Sequence, residues 1–428
     1  MKNFPLHAGC SSVLCRMLIV IFTLPTCLQA QTPEPTEDAA MLRKIYNQAL
    51  TDSRCYAWLG DLTAKVGHRL SGSPAAAKAV TWGRATLDTL GLDSVWLQPC
   101  MVPHWVRGAP EQIRVVDAKS GPFDLHALAL GGSVNTPGHG LRANVVEVKS
   151  WAALDSLGAK GQLGGKLVFY NRPMDPTKIR PFDAYGGAVD QRVFGASRAA
   201  KYGAIGVLVR SMTPNFDDVP HTGTLVYDTA VVRIPAAAIS TNDADKLSQV
   251  LKKEPKVIVS MRLNCQLLPD EPSYNVIGEI RGTERPKEIL LVGGHLDSWD
   301  VGQGAHDDGT GVVQSMDVLR YLRRVGYRPR HTIRCVLFMN EENGGRGGEK
   351  YAVEAERKGE FHLCAIESDA GGFAPRGFSF EGEKTVFPAF YEKVKNLRPL
   401  FEPYGLTLTE GGSGSDVGHL RDQKGLLC

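Results

Sequence analysis

An imidazole and several carboxylates follow an apolar segment in the second half of the chain. Residues 289–311 read ILLVGGHLDSWDVGQGAHDDGTG, so an aliphatic run ends at two glycines and is followed by His295, Asp297 and Asp307. These groups are ligands for borderline and hard metal ions, and the stretch contains no cysteine that would indicate a structural thiolate site. The stretch therefore predicts a metal site rather than a lone histidine at the end of a strand.

Two further apolar segments also end in acidic residues. The segment TIRCVLFM at 332–339 is followed by Glu341 and Glu342. The segment HLCAIESDAGG at 362–372 contains Asp369. Apolar runs of this length are typical of buried parallel strands, and the carboxyl ends of such strands are where open α/β sheets bind ligands. We therefore expect all three strand ends to meet at one edge of a single sheet.

The residue types are those that a pair of zinc ions needs for hydrolysis. Two zinc ions about 3.5 to 4 Å apart require a shared carboxylate and separate ligands for each ion. Most of this ligand set is present: His295, Asp307, Glu342 and Asp369. Glu341 stands beside a ligand and can accept a proton from metal-bound water. Asp297 is close enough to hold the imidazole of His295, so we predict Glu341 and Asp297 as the catalytic side chains.

The surrounding pattern predicts the sheet that positions these residues. From residue 273 onward, strand-like runs alternate with helical segments, as in a doubly wound, mostly parallel sheet. After Asp307, for example, Val312, Met316 and Leu319 recur at helical spacing. The fold class is therefore predicted as α/β.

The N-terminal part predicts two helices and an extended segment. Apolar residues recur at helical spacing over 39–67 and again over about 75–90. The segment 93–108 is extended in character, and we expect Pro99 and Pro103 to break it.

The middle of the chain has a different texture. Short β-like runs such as ANVVEV, KLVFYN, IGVLVR and VIVSMRL are separated by Gly and Pro, and the helix ASRAAKYG lies between the second and third, as a βαβ unit requires. No dense cluster of His and carboxylates occurs here, which indicates an inserted β-rich domain. The predicted organisation has four parts: a signal peptide (1–30), the N-terminal part of the main domain (31–112), the insert (113–270) and the metal-binding part of the main domain (271–428).

The N-terminus predicts export from the cytoplasm. A basic start is followed by an apolar run over 17–24, which is too short to span a bilayer, and then by a polar stretch with Ala30 before Gln31. We expect a cleavable signal and a secreted or periplasmic protein without a membrane segment. A lipid anchor at Cys27 is disfavoured because Pro25 and Thr26 precede it where small residues are preferred.

Composition excludes several classes of function. The chain has 428 residues, 43% hydrophobic and 22% charged, and its formal net charge is +3, which does not favour binding to nucleic acid or an anionic membrane. Six cysteines follow the predicted signal, too few over this length for a disulfide scaffold. Cys335 and Cys364 lie in apolar strand patterns and are predicted to be core residues.

Several motifs together resemble a known family. They are GGHLDSWDVGQGAHDDG, NEENGG, ESDAG, PHWVRG, HRLSGSP and SGSD. With them the chain resembles the co-catalytic zinc exopeptidases, and its middle section is similar to the protease-associated insert of that family. The resemblance implies peptide substrates, two zinc ions and a tendency to form homodimers.

The resemblance also implies a role for each matching residue. It places His295 and Asp369 on one zinc, Glu342 on the other and Asp307 between them. Glu341 would act as general base and then as general acid toward the leaving amine. Asp416, in the SGSD motif, matches a loop on the substrate side.

The chain departs from the family after the SGSD motif. Family members continue to a late histidine that completes the second zinc site, whereas here His419 comes too soon and the sequence ends at Cys428. We therefore expect an incomplete second site, as in a truncated or frameshifted product, with weak binding of the second ion and low activity.

Several functions stay open at this point. The first is a zinc exopeptidase of the carboxypeptidase or dipeptidase type that cleaves dipeptides or short peptides. Others are a zinc aminopeptidase, an impaired or binding-only homologue similar to the transferrin receptor, and a single-zinc glutaminyl cyclase, which would itself need the late histidine. A serine hydrolase is not indicated because no GxSxG motif is present. His306 is predicted to face solvent rather than to bind metal.

Overall fold

The computed structural model describes residues 36–421. The predicted signal peptide, including Cys27, lies outside the described residues, and so does Cys428. Over 36–421, no helix is both long enough and apolar enough to cross a membrane.

The helices are numbered in chain order. They are α1 (Glu37–Thr51), α2 (Cys55–Lys65), α3 (Pro74–Asp88), α4 (Trp151–Ala159), α5 (Pro181–Gly186), α6 (Asp190–Val193), α7 (Gly195–Ala200), α8 (Thr241–Lys253), α9 (Thr310–Arg324), α10 (Arg346–Lys358), α11 (Phe387–Lys395) and α12 (Arg398–Phe401). Short helical turns add three segments: Ala305–Gly309, Glu402–Tyr404 and Val417–Leu420.

The strands are numbered in the same way. They are β1 (Ser94–Val106), β2 (Gln112–Asp117), β3 (Phe123–Asp124), β4 (Ala127–Ala129), β5 (Leu141–Val148), β6 (Leu167–Tyr170), β7 (Gly206–Arg210), β8 (Ala236–Ile239), β9 (Ile258–Arg262), β10 (Gln266–Ile280), β11 (Arg285–His295), β12 (His331–Phe338), β13 (Phe361–Glu367), β14 (Gly377–Phe380) and β15 (Thr407–Glu410).

One sheet has the order β1-β10-β12-β11-β13 and carries the predicted site. Strands β12, β11 and β13 are parallel, and because β10 is antiparallel to both β12 and β1, four of the five strands run in the same direction. Met316 of α9 packs on one face with Leu62 and Val80 of α2 and α3, while Tyr351 of α10 packs on the other face with Val336. Helices thus cover both faces, and the predicted α/β fold with a doubly wound, mostly parallel sheet is confirmed.

Two details differ from the prediction. Strand β1 is continuous through Pro99 and Pro103, because it is an edge strand with only β10 as partner and its register shifts between Val102 and His104. An edge strand tolerates proline because one of its sides needs no ladder hydrogen bonds.

The expected helix over 39–67 is divided into α1 and α2. The break occurs where the carboxylate of Asp317 in α9 accepts hydrogen bonds from Ser53 Oγ (3.1 Å) and Arg54 N (3.3 Å). A partner 263 residues away thus determines this local helix boundary.

A second sheet occupies the middle of the chain. Its order is β3-β2-β9-β5-β6-β7-β8-β4, and β5 to β8 are parallel to one another. It extends from Gln112 in β2 to Arg262 in β9, and β10 returns the chain to the first sheet at Gln266. The strands of this second sheet lie almost entirely within the range 113–270, and the division into a main domain and an insert stays a prediction.

The two sheets are joined next to the predicted site. Arg107 forms an ion pair with Asp300, with Nη2 2.7 Å from Oδ1 and Nε 2.7 Å from Oδ2, and its Nη1 donates to Ala129 O at 2.6 Å. The ring of Trp299 lies against Gly131 so closely that a Cβ there would be 1.9 Å from the indole. The loop after β11 is therefore fixed against the middle section.

All five described cysteines are free thiols. Cys335 is fully buried in the core, as predicted, whereas Cys364 is only partly buried.

We expect Gly294→Ala to destabilise the fold by about 1 to 3 kcal/mol through overpacking. A Cβ at Gly294 would lie 2.4 Å from Asp308 Oδ2 and 2.9 Å from the Gly311 carbonyl carbon, where α9 meets the sheet. The matched control is Gly60→Ala, since Gly60 is exposed in α2 with no atom near its Cβ position, and we expect stabilisation by about 0.5 to 1 kcal/mol. Urea unfolding measures both, and equal midpoints would contradict the close approach at Gly294.

Candidate metal centre

The carboxyl ends of β11, β12 and β13 lie side by side. In the parallel register His295 is paired with Phe338 of β12, and Gly293 is paired with Glu367 of β13. The polar residues that follow each strand therefore enter the same region at one edge of the sheet.

The ring of His295 lies at the centre of this region. Its Nε2 atom is 3.0 Å from Asp307 Oδ1 and 3.4 Å from Asp369 Oδ1. Ligand atoms of His295, Asp307 and Glu342 all lie within 4.8 Å of one another. A tetrahedral ion with bonds of about 2.0 to 2.2 Å separates its ligand atoms by about 3.3 to 3.6 Å, so this spacing suits a metal ion.

The imidazole is oriented by the backbone of Asp297. His295 Nδ1 is 3.1 Å from Asp297 O but 3.9 Å from the carboxylate oxygen Oδ1. His295 Nε2 is buried and faces the carboxylates of Asp307 and Asp369. The main-chain contact at Nδ1 leaves Nε2 as the ring nitrogen available to a metal, and the expected hold of the Asp297 side chain on the ring stays a prediction.

The Asp297 carboxylate instead organises the turn after β12. Its Oδ1 accepts hydrogen bonds from Asn340 N (2.8 Å) and Glu341 N (3.1 Å), and Oδ2 accepts one from Glu342 N (3.3 Å). Asn340 has a φ of 78°, a left-handed conformation that asparagine tolerates better than most residues. A single buried carboxylate thus positions both glutamates of the predicted site.

Asp308 is a second buried acid to which the sequence reasoning gave no role. Its Oδ2 accepts from His295 N at 3.0 Å, and its Oδ1 accepts from Gly311 N at 3.0 Å. The Asp308 carboxylate lies close to His295 and Asp369. Each of its two oxygens nevertheless accepts a hydrogen bond from the backbone. Asp308 joins the end of β11 to the start of α9, whereas the neighbouring Asp307 side chain is largely exposed to the cavity.

The electrostatics of the cluster favour a bound cation. Burial and repulsion from Asp307 raise the pKa of Glu342 well above its ordinary value, and burial also raises the pKa of Glu341. Burial by itself would lower the pKa of His295, but the carboxylates of Asp307 and Asp369 outweigh it and raise that pKa well above normal. A divalent ion would relieve the repulsion and favour the ionised acids with a neutral imidazole.

Arg69 supports the site and was not identified from the sequence. The side chain is fully buried and donates to Leu296 O (2.6 Å), Gln303 O (3.1 Å) and Gly304 O (2.8 Å), which lie along the loop after β11. Its motif HRLSGSP was noted, but a residue that binds only backbone carbonyls leaves no local signal in the sequence.

Asp416 is buried, at 1% exposed, and its two carboxylate oxygens have no hydrogen-bond partner within the part of the chain that the structure describes. Its backbone N–H donates to Glu367 Oε2 at 2.9 Å, and Val417 and Leu420 pack in the core with α10. The neighbouring Ser415 lines the cavity over the cluster, and the position of Asp416 on the substrate side stays a prediction.

The two histidines set aside as ligands stay outside the described metal clusters. His419 is exposed, and so is His306, whose Nδ1 accepts a hydrogen bond from Gly372 N at 3.3 Å at the edge of the cavity.

A cavity of about 580 Å³ opens over the cluster. Asp307, Glu341 and Glu342 line it from the first sheet. Tyr185 and Arg192 line it from the middle section of the chain. Its volume is in the usual range for small-molecule sites, about 300 to 1,000 Å³.

Comparison with known proteins decides the family. The family model of peptidase family M28 matches residues 275–419 of this chain. Carboxypeptidase Q of Xenopus laevis is 38% identical over 349 residues, which are 81% of this chain and 71% of that protein. The chain belongs to the carboxypeptidase Q group of peptidase family M28. The motifs singled out in the sequence resemble this same group, so the prediction of the family is confirmed.

Other relatives of this carboxypeptidase Q homologue agree. Human carboxypeptidase Q is 35% identical over 374 residues, 87% of this chain and 75% of that protein. A peptidase M28 precursor from Shewanella amazonensis has a TM-score of 0.83 at 34% identity and covers 91% of this chain and 88% of its own. A zinc aminopeptidase from Bacillus subtilis shares the fold, with a TM-score of 0.60 at 21% identity. The match covers 85% of this chain and 80% of that protein. The protein is a metallo-exopeptidase, and its substrates are peptides.

We expect Asp297→Asn to weaken metal binding by about 10- to 100-fold. The amide keeps one acceptor oxygen, but its NH2 group would face an N–H donor of the turn, so with Oδ1 retained the hydrogen bond that positions Glu342 is lost. Competition between the protein and a chelator for Zn²⁺ measures the change. The control is Asp88→Asn at the exposed end of α3, and an unchanged affinity in Asp297→Asn would contradict the role of this carboxylate.

Proposed function

We propose that the protein is a zinc-dependent exopeptidase of the carboxypeptidase or dipeptidase type that cleaves dipeptides or short peptides. The observation that carries this proposal is the position of Glu341, a buried carboxylate that lines the cavity beside the ligand cluster without belonging to it. His295, Asp307 and Asp369 would hold one zinc, and Asp307 would share its carboxylate with a second zinc on Glu342.

The donor set suits zinc because it combines one imidazole nitrogen with carboxylate oxygens at tetrahedral spacing. Zinc, when bound, lowers the pKa of a water and polarises the carbonyl of the scissile bond. Glu341 accepts the proton of the attacking water at its carboxylate and delivers it to the nitrogen of the leaving amine. Burial raises the pKa of Glu341, so its carboxylate can hold that proton between the two steps.

A second candidate is a catalytically impaired homologue that binds peptides. One feature supports it: if His295 and Asp369 bind the first ion, as the family resemblance implies, Asp307 and Glu342 are the protein ligands assigned to the second ion among residues 36–421. A zinc aminopeptidase is a third candidate, and it differs in which peptide terminus must be free.

We also propose an exported protein. The support for export is the sequence pattern of residues 1–30. We further propose that the region built on the second sheet is a protease-associated domain, because it lies between β1 and β10 in the chain. A homodimer is proposed only from the tendency of the family.

We expect Glu341→Gln to reduce hydrolysis by about 10²- to 10⁴-fold while metal binding is retained, because the amide cannot accept the proton. Release of leucine from the dipeptide Ala-Leu measures activity, and the zinc content is determined on the same samples. Glu349→Gln, on the exposed face of α10, is the control. Equal rates for wild type and Glu341→Gln would contradict the proposed role, and no zinc-dependent leucine release from wild type would favour the impaired homologue.

We expect zinc titration to show one tight and one weak site per chain. In the proposed assignment His295, Asp307 and Asp369 give one ion three protein ligands, whereas Asp307 and Glu342 give the second ion two. Calorimetric titration of the metal-free protein measures both affinities. Two sites of equal, high affinity would contradict the incomplete second site.

A further inference from the structure

Another cavity, of about 450 Å³, lies where α2, α3 and α9 meet. Four arginines line it together with three other side chains: Arg54, Arg320, Arg323, Arg324, Trp58, Thr89 and Leu90. Among residues 36–421 no carboxylate lines this cavity, so its charge is opposite to that of the acidic metal cluster.

The cavity is distinct from the metal cluster. The cluster adjoins the first turn of α9, where Asp308 accepts a hydrogen bond from Gly311 N, whereas the arginines come from the last two turns of that helix. A helix of 15 residues is about 22 Å long, so the two sites lie at opposite ends of α9.

Asp317 fixes the base of the arginine cavity. Its carboxylate accepts hydrogen bonds from the Arg54 backbone at 3.3 Å and from the guanidinium of Arg320, which is buried. The start of α2 and the end of α9 are therefore joined before any ligand binds.

Nearby acids neutralise only part of the positive charge. Asp52 is shared, since its Oδ2 lies 3.4 Å from Arg320 Nη1 and 2.7 Å from Arg324 Nη1. Asp93 pairs with Arg323, with Oδ1 2.5 Å from Nη2. These acids stand outside the lining and leave the interior of the cavity positive.

Two of the guanidinium groups keep unused donors. Within residues 36–421, the side chain of Arg54 has neither an ion-pair partner nor a hydrogen-bond partner. The Nε atom of Arg323 is buried and also has no partner there. Because a buried N–H without an acceptor costs free energy, the Arg323 donor is better satisfied by a bound anion than by the protein alone.

We propose that this cavity binds a small molecule that carries a phosphate or sulfate group. Guanidinium groups bind such oxyanions through parallel N–H···O bonds, and several oxygens can engage Arg54 and Arg323 at once. Trp58 and Leu90 are partly buried and provide apolar surface for the remainder of the ligand. The volume is in the range of small-molecule sites, about 300 to 1,000 Å³. The inference is independent of the proposed peptidase function.

Titration of the full chain with sodium sulfate and with sodium phosphate tests the inference, with sodium chloride at equal ionic strength as the reference. A ligand that binds only the folded state raises the unfolding temperature. We expect both oxyanions to raise it in a saturable manner beyond the effect of chloride. Calorimetry on the same samples gives the affinities.

Substitutions locate the binding site. We expect Arg54→Gln and Arg323→Gln each to weaken sulfate binding by roughly 10- to 100-fold, as for hydrogen bonds to a charged group. Arg54→Gln should leave the unfolding temperature without sulfate unchanged, and Arg54→Lys should retain only part of the affinity because lysine lacks the fork. The matched control is Arg84→Gln, which should bind sulfate like wild type, since Arg84 pairs with Asp88 on α3 and does not line the cavity.

Flotation with vesicles distinguishes a soluble ligand from a lipid headgroup. We expect the protein to bind neither phosphatidic acid vesicles nor phosphatidylcholine vesicles. Binding to phosphatidic acid that Arg54→Gln abolishes would overturn the assignment to a small molecule in favour of a membrane. Equal effects of sulfate and chloride on wild type, or sulfate affinity unchanged in both Arg54→Gln and Arg323→Gln, would overturn the anion site itself.

Discussion

Several carboxylates crowd around one buried imidazole, and the surrounding fold must oppose the repulsion between their negative charges. Glu341, Glu342 and Asp369 lie near Asp307 and the ring of His295, where partial burial makes each negative charge costly. Such a cluster persists only if strong contacts hold the acids together and a cation compensates them. The fold provides the contacts that hold the acids together, and the geometry of the ligand atoms is suited to a bound cation.

The supporting contacts are backbone hydrogen bonds to two acids and one arginine. Asp297 binds three N–H groups of the turn after β12, Asp308 joins β11 to α9, and Arg69 binds carbonyls of the loop after β11. Each of these side chains is buried, and its hydrogen-bond partners are main-chain groups rather than other side chains. The loops at the edge of the sheet are therefore fixed before any ligand arrives, as a site that positions reacting groups requires.

The middle section of the chain contributes to the same cavity. The Trp299 ring lies on Gly131, and the Trp299 backbone N–H donates to Glu342 Oε1 at 3.1 Å, so the join between the sheets also contacts the metal cluster. The wall opposite the acids thus comes from the region of the second sheet rather than from the first.

Local patterns were enough to predict the α/β fold and the strands that carry the cluster, because an apolar run followed by polar residues is a local signal. The hydrogen bonds of Asp297, the burial of Asp416 and the break between α1 and α2 could not be predicted, since each depends on a partner distant in the chain. Pro99 and Pro103 were expected to break an extended segment because the sequence does not show that β1 lies at an edge.

Anomalous diffraction at the zinc absorption edge, from crystals grown with Zn²⁺, shows where zinc binds. We expect a peak about 2.0 to 2.2 Å from His295 Nε2 and from carboxylate oxygens of Asp307 and Asp369. A peak bound only elsewhere on the molecule, or none at this edge of the sheet, would contradict it.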